Sequence, residues 1–103
     1  MNKNLLRQAQ ELQTKLAKAQ DELATMTVEA GSGGGVVKVV VTGQQKFQSI
    51  MINPEAVDPK DVQMLEDLVL AAVNEGLEKS KELATSHMSK LTGGFGLPGM
   101  GKR

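Results

Sequence analysis

The chain has 103 residues, with 12 basic and 12 acidic side chains that cancel to zero formal charge, no cysteine, tryptophan or tyrosine, and two phenylalanines, Phe47 and Phe95. That length allows one domain with a modest aliphatic core, and the lack of cysteine excludes a disulfide scaffold, a thiolate metal site and a cysteine nucleophile. Zero net charge argues against coating nucleic acid by bulk electrostatics, so any such contact requires uneven placement of the charges.

The first residues, MNKNLLRQAQELQTK, contain no continuous apolar stretch of signal-peptide type, and no apolar run approaches the length of a bilayer span. The expected compartment is the cytosol. From Leu5, apolar or small residues recur at Ala9, Leu12, Leu16, Ala19, Leu23 and Met26, alternating steps of four and three. This 3.5-residue repeat predicts a helix from about Lys3 to about Thr25 with a narrow, coiled-coil-like seam.

Three short strands follow: Thr27 to Ala30, then Val36 to Thr42 beyond the glycine-rich segment GSGGG, then Phe47 to Asn53, stopped by Pro54. Val37, Val39 and Val41 share one face of the second strand, and Ile50 and Ile52 are expected to face away from Phe47 and Met51 on the third. Both faces are partly apolar, which suits helices on one side and a second chain on the other. A long second helix is signalled by Asp58 as N-cap, Pro59 at the first helical position and Asp61 two residues further on, with Gly93 as its stop. The single domain is therefore expected over residues 1–92, with a flexible Gly-rich tail at 93–103.

The fold class is α+β, in the order helix, three-stranded antiparallel sheet, long helix (α-β-β-β-α). An odd number of strands returns the second helix across the sheet, and its length carries it past the strands to lie antiparallel to the first helix. So slight a protruding pair, beside a sheet with a spare apolar face, predicts an obligate homodimer.

Charge is distributed unevenly in this arrangement. Residues 1–26 carry +1, 27–57 carry 0, 58–91 carry −3 and the tail +2. Lys3, Arg7, Lys79, Lys81, Lys90, Lys102 and Arg103 are expected toward the protruding end, and Asp21, Glu22, Asp58, Asp61, Glu66 and Asp67 toward the sheet. The plain alternative is a solvated face, since Glu11 with Lys15 and Glu75 with Lys79 are ordinary i,i+4 pairs. In a dimer, two basic tips together form a surface that a phosphate backbone can bridge.

Catalytic chemistry is not indicated. One histidine, His87, without cysteine makes no transition-metal set, and no base is paired with a serine or threonine nucleophile. The segment Gly31 to Gly35 precedes a strand instead of a helix and lacks the Lys-Ser or Lys-Thr of a phosphate loop, so it reads as a connector between strands. No enzyme, cofactor or small-molecule substrate is expected.

The strings GSGGGVVKVVVTGQQKFQSIMINPEAVDPKDVQMLEDLVLAAVNEG, with the Gln-rich RQAQELQTKLAKAQDEL before them and a Gly/Pro/Met-rich tail, resemble the YbaB/EbfC family of bacterial nucleoid-associated proteins. Met64 to Glu75 is the most specific block, and Gly76 stands where that family more usually has Ala, which predicts a local loosening of the second helix. The resemblance implies a small cytoplasmic, tweezers-shaped homodimer that binds double-stranded DNA, helps organise the nucleoid and influences gene expression. It brings no catalytic residues and no compact contact motif. The candidate DNA-binding residues, Lys3, Arg7, Lys15, Lys18, Lys79, Lys81 and Lys90, therefore rest on charge placement. The rival reading is a helical clamp that grips a protein partner, as an adaptor or chaperone-like subunit.

Overall fold

A computed structural model describes residues 2–92. The expected tail at 93–103 lies outside the described residues. Helix α1 spans Lys3–Leu23, capped by Asn2, whose side chain accepts the Asn4 N–H at 2.8 Å. It ends slightly before the expected Thr25. There the Ala24, Thr25 and Met26 N–H groups turn back onto Asp21, Glu22 and Leu23 carbonyls, and the chain enters β1, Thr27–Ser32.

Strand β1 continues two residues beyond Ala30, into the glycine-rich segment. The turn itself is Gly33–Gly35, a short 3-10 segment whose φ values of 60°, 74° and 99° lie in the left-handed region that glycine tolerates. The connector reading is thereby met. Strand β2, Val37–Thr42, and β3, Phe47–Ile52, complete an antiparallel meander in the order β1-β2-β3.

Register places Val37 opposite Ile52 and Val39 opposite Ile50, so these four side chains share one face. An irregularity between Val40 and Val41 sets Val41 opposite Phe47 and Val40 opposite Ser49, leaving Gln48 as the extra residue. This bulge corrects the expected alternation. Phe47 joins Ile50 and Ile52 on the Val37, Val39, Val41 face, and Met51 faces the other way beside Lys38 and Val40.

The second helix, α2, spans Val62–Thr92 and starts later than expected. Asp58 instead caps a preceding turn, accepting the Lys60 N–H on its side chain at 2.9 Å and the Asp61 N–H on its carbonyl at 2.8 Å. Asp61 is the working cap, with its side chain on the Met64 N–H at 3.2 Å. At ~1.5 Å per residue the helix is about 46 Å long, against about 20 Å for a six-residue strand. It overshoots the sheet, and the chain extends 70 × 28 × 16 Å.

The first half of α2 lies over β1 and β2. Ala30, Val37, Val39 and Ala72 form the buried centre, with Leu65, Leu68, Val69, Val73 and Phe47 packed around it. Gly76 brings the helix axis close to β2, because a Cβ there would sit 2.9 Å from Val39 Cγ2 and 3.4 Å from Phe47 Cε2. The glycine is a close-approach residue, and the expected loosening is replaced by tight contact. Strand β3 is left largely uncovered, with Ile50 and Ile52 47% and 39% exposed on the face that elsewhere forms the core.

Candidate nucleic-acid interface

Beyond the sheet, α2 runs antiparallel along α1. Ala19 and Leu23 are buried in this pairing, while Leu12, Leu16, Leu83, Ala84 and Leu91 are half-buried. Along the 3.5-residue seam Leu12 and Leu16 are half-buried and Ala19 and Leu23 buried, while its earlier members Leu5 and Ala9 stand exposed on the N-terminal arm of α1. One polar contact ties α1 to the β2–β3 turn and another ties it to α2. Gln44 donates its side-chain amide to the Gln20 carbonyl at 2.7 Å, and His87 Nε2 lies 2.9 Å from Glu22 Oε1.

The His87–Glu22 contact marks the register of the two helices, and lysines of both fall around it. Lys15 and Lys18 of α1 and Lys90 of α2 line one cleft with Ala19, Glu22, His87 and Leu91. Three cations thus border a single carboxylate, itself engaged by the imidazole. Charges within a Debye length of about 8–10 Å reinforce one another's potential. On the exposed arm, Arg7 and Lys15 border a shallow groove with Gln10, Glu11 and Thr14, and Lys3 lies one turn further toward the arm's end. Lys81 lines a separate depression with Gln20, Gly43, Gln44 and Thr85, where α1, α2 and the β2–β3 turn meet.

Lys79 departs from its expected place at the protruding end. Its ammonium donates to the Glu29 carbonyl of β1 at 3.2 Å and lies 3.9 Å from Glu75 Oε2, which holds it at the edge of the sheet. Sequence reasoning missed both this contact and the His87–Glu22 pair. The i,i+4 spacing of Glu75 and Lys79 is a visible signal, but it points equally to a purely local pair. Among the described residues no group of three His, Asp or Glu side chains is placed to hold a metal ion, and no helix is long and apolar enough to cross a membrane.

The model of the YbaB/EbfC DNA-binding family matches residues 1–95. A nucleoid-associated protein of Ruminiclostridium cellulolyticum is 54% identical over 98 residues, covering 94% of this chain and 85% of the relative. Another, of Moorella thermoacetica, is 54% identical over 99 residues, covering 96% of this chain and 94% of the relative. A solved structure of an uncharacterized Helicobacter pylori protein, HP0035, superposes with a TM-score of 0.74 over 89% of this chain and 98% of its own, at 16% identity, and so shares the fold. With nearly its whole length matched by the family model and by relatives at such identity, the chain belongs to the YbaB/EbfC DNA-binding family of nucleoid-associated proteins.

Proposed function

We propose that this chain works in the cytoplasm as a homodimer that binds double-stranded DNA through its phosphates, with little sequence preference, and thereby organises the nucleoid and influences gene expression. The carrying observation is the cleft where α1 and α2 gather Lys15, Lys18 and Lys90 from a chain of zero net charge. Lys3 and Arg7 extend that basic surface along the arm of α1, and Lys81 extends it toward the sheet. Lys79 is engaged with β1 and contributes less. The cleft cations are all lysines, which meet phosphate as point charges without the planar fork that arginine offers, and this supports weak sequence preference. Titration of labelled duplex at several salt concentrations tests this: log affinity should fall linearly with log salt. Absence of binding at low salt, or indifference to salt, would refute it.

The homodimer is supported by the uncovered apolar face of β3 and by Leu70, 60% exposed on α2. A second reading, capture of a protein partner, is favoured by Leu5 and Leu6, 63% and 48% exposed on the arm. Leu5→Glu with Leu6→Glu separates the two: loss of a partner with DNA affinity retained supports the adaptor.

A further inference from the structure

The two edges of the sheet differ. Thr42 N–H bonds to the Lys46 carbonyl at 2.8 Å and Asn53 N–H to the Val36 carbonyl at 2.7 Å, so even-numbered residues of β2 direct their backbone groups toward β3. The odd-numbered Val37, Val39 and Val41 direct theirs toward β1, where Ser32, Ala30 and Val28 are opposite. Glu29 and Gly31 consequently point their N–H and C=O groups outward, away from the sheet. A bare edge of this kind is a template for a further strand.

That edge is not bare. Gly31 N–H donates to Glu75 Oε1 at 3.3 Å, and the Glu29 carbonyl accepts from Lys79 Nζ at 3.2 Å. One turn of α2 thus offers β1 an acceptor and a donor that occupy two of the four outward groups a pairing strand would meet, the Gly31 N–H and the Glu29 carbonyl. By the same alternation, Ile50 and Ile52 point their backbone groups outward from β3. Among the described residues no side chain caps them.

We propose that Glu75 and Lys79 close the β1 edge against addition of another copy of this chain, so that copies meet through β3 and assembly stops at two. The inference rests on the homodimer reading, because pairing through β3 would leave the β1 edges as the two ends of the joined sheet. The occupant excluded is therefore a second dimer, approaching with its own β1. With the cap gone, each end can take another dimer, and growth has no closing step.

The test compares the parent protein with Glu75→Ala/Lys79→Ala by light scattering across a wide concentration range, with circular dichroism as the check on folding. The uncapped variant should grow with concentration from two copies to four and beyond. Glu75→Gln/Lys79→Arg, which keeps acceptor and donor, should stay at two. Because the chain has no cysteine, Glu29→Cys adds a single reporter: oxidation should crosslink dimers in the uncapped background and not in the parent. An uncapped variant of unchanged mass, or one that grows without crosslinking through position 29, overturns the cap. If the double variant does not fold, Lys79→Ala alone, which frees the Glu29 carbonyl, is read in the same way. A parent protein of monomer mass overturns the dimer reading, and the cap is then judged by whether uncapping alone produces the position-29 crosslink.

Discussion

Ser80 donates its hydroxyl to the carbonyl oxygen of Thr42 at 2.6 Å, and both residues are buried. The contact lies where α2 leaves the sheet, so it joins the core-covering half of the helix to the half that pairs with α1. Ser80→Ala should lower stability by about 1 kcal/mol, the net worth of one such hydrogen bond, because the Thr42 carbonyl keeps the Gln45 N–H at 3.0 Å. Ser80→Val adds volume as well and should lose roughly 2–3 kcal/mol. Urea denaturation measures both. A Ser80→Ala midpoint equal to that of the parent would show the bond to be dispensable.

Gly43 is held by a different constraint. Its N–H lies 3.0 Å from the Leu23 carbonyl and 2.9 Å from that of Met26, and a Cβ would sit 2.6 Å from Leu23 Cδ2 and 3.1 Å from Leu23 O. Moving Leu23 out of the way would disturb the end of α1. Gly43→Ala should therefore destabilise by about 2–3 kcal/mol. Gly34 has a φ of 74° and open space for 4 Å around the place a methyl would take, so the same substitution there should lose about 1 kcal/mol, from backbone strain alone. Equal losses at the two glycines would contradict the close-packing account of Gly43.

Gly76 sets helix propensity against packing. Alanine gains about 1 kcal/mol in a helix interior, but its methyl would press on Val39, which is fully buried and β-branched. Overpacking of this kind costs about 1–3 kcal/mol, so Gly76→Ala should be neutral to destabilising. Paired with Val39→Ala, it should recover its propensity gain. A double-mutant cycle then shows a favourable coupling of about 1 kcal/mol, and strict additivity would remove Gly76 from the contact.

How much of this is legible in the sequence depends on the range of the interaction involved. The valines of β2 announce a strand, and steps of four and three along α1 announce a seam. Which part of that seam is covered depends on how α2 lies along α1. Leu12 and Leu5 look alike in sequence, yet one is half-buried and the other exposed. The facing of Phe47 escapes the sequence because a bulge at Gln48 is a property of pairing with β2 and leaves no mark on alternation. The start of α2 escapes it because Asp58 and Asp61 are both competent caps, and the first is used by its own turn. The basic cleft is legible as charge, but its membership follows from helix register, which also sends Lys79 to β1.

That division of the lysines gives a prediction with its own control. Each phosphate contact removed should reduce the slope of log affinity against log salt by about 0.9. In the dimer each of Lys15→Ala, Lys18→Ala and Lys90→Ala removes one such contact per copy, two in all, so the slope should fall by about 1.8 in fluorescence-anisotropy titrations of labelled duplex. Lys60→Ala, before the start of α2 at the far end of the molecule, should leave the slope unchanged. Lys79→Ala should alter it less than any of the three cleft substitutions. A uniform response across all five would mean that charge, and not the cleft, governs binding.

Ile50 and Ile52 connect assembly with binding. They share the core face but lie beyond the cover of α2, and β3 offers an uncapped edge beside them, so Ile50→Glu with Ile52→Glu should place four like charges across the joined surface of two copies. Such a surface cannot desolvate them without partners, and the variant should run at monomer mass in light scattering. Circular dichroism should still report folded protein, because both side chains are already substantially exposed. The consequence for DNA is quantitative. Two copies present the Lys15, Lys18 and Lys90 set twice, so losing one copy should halve the salt slope while leaving each remaining contact intact. A folded monomer that retains the full slope would place all phosphate contacts on one chain, and a variant that stays dimeric would move the interface away from β3.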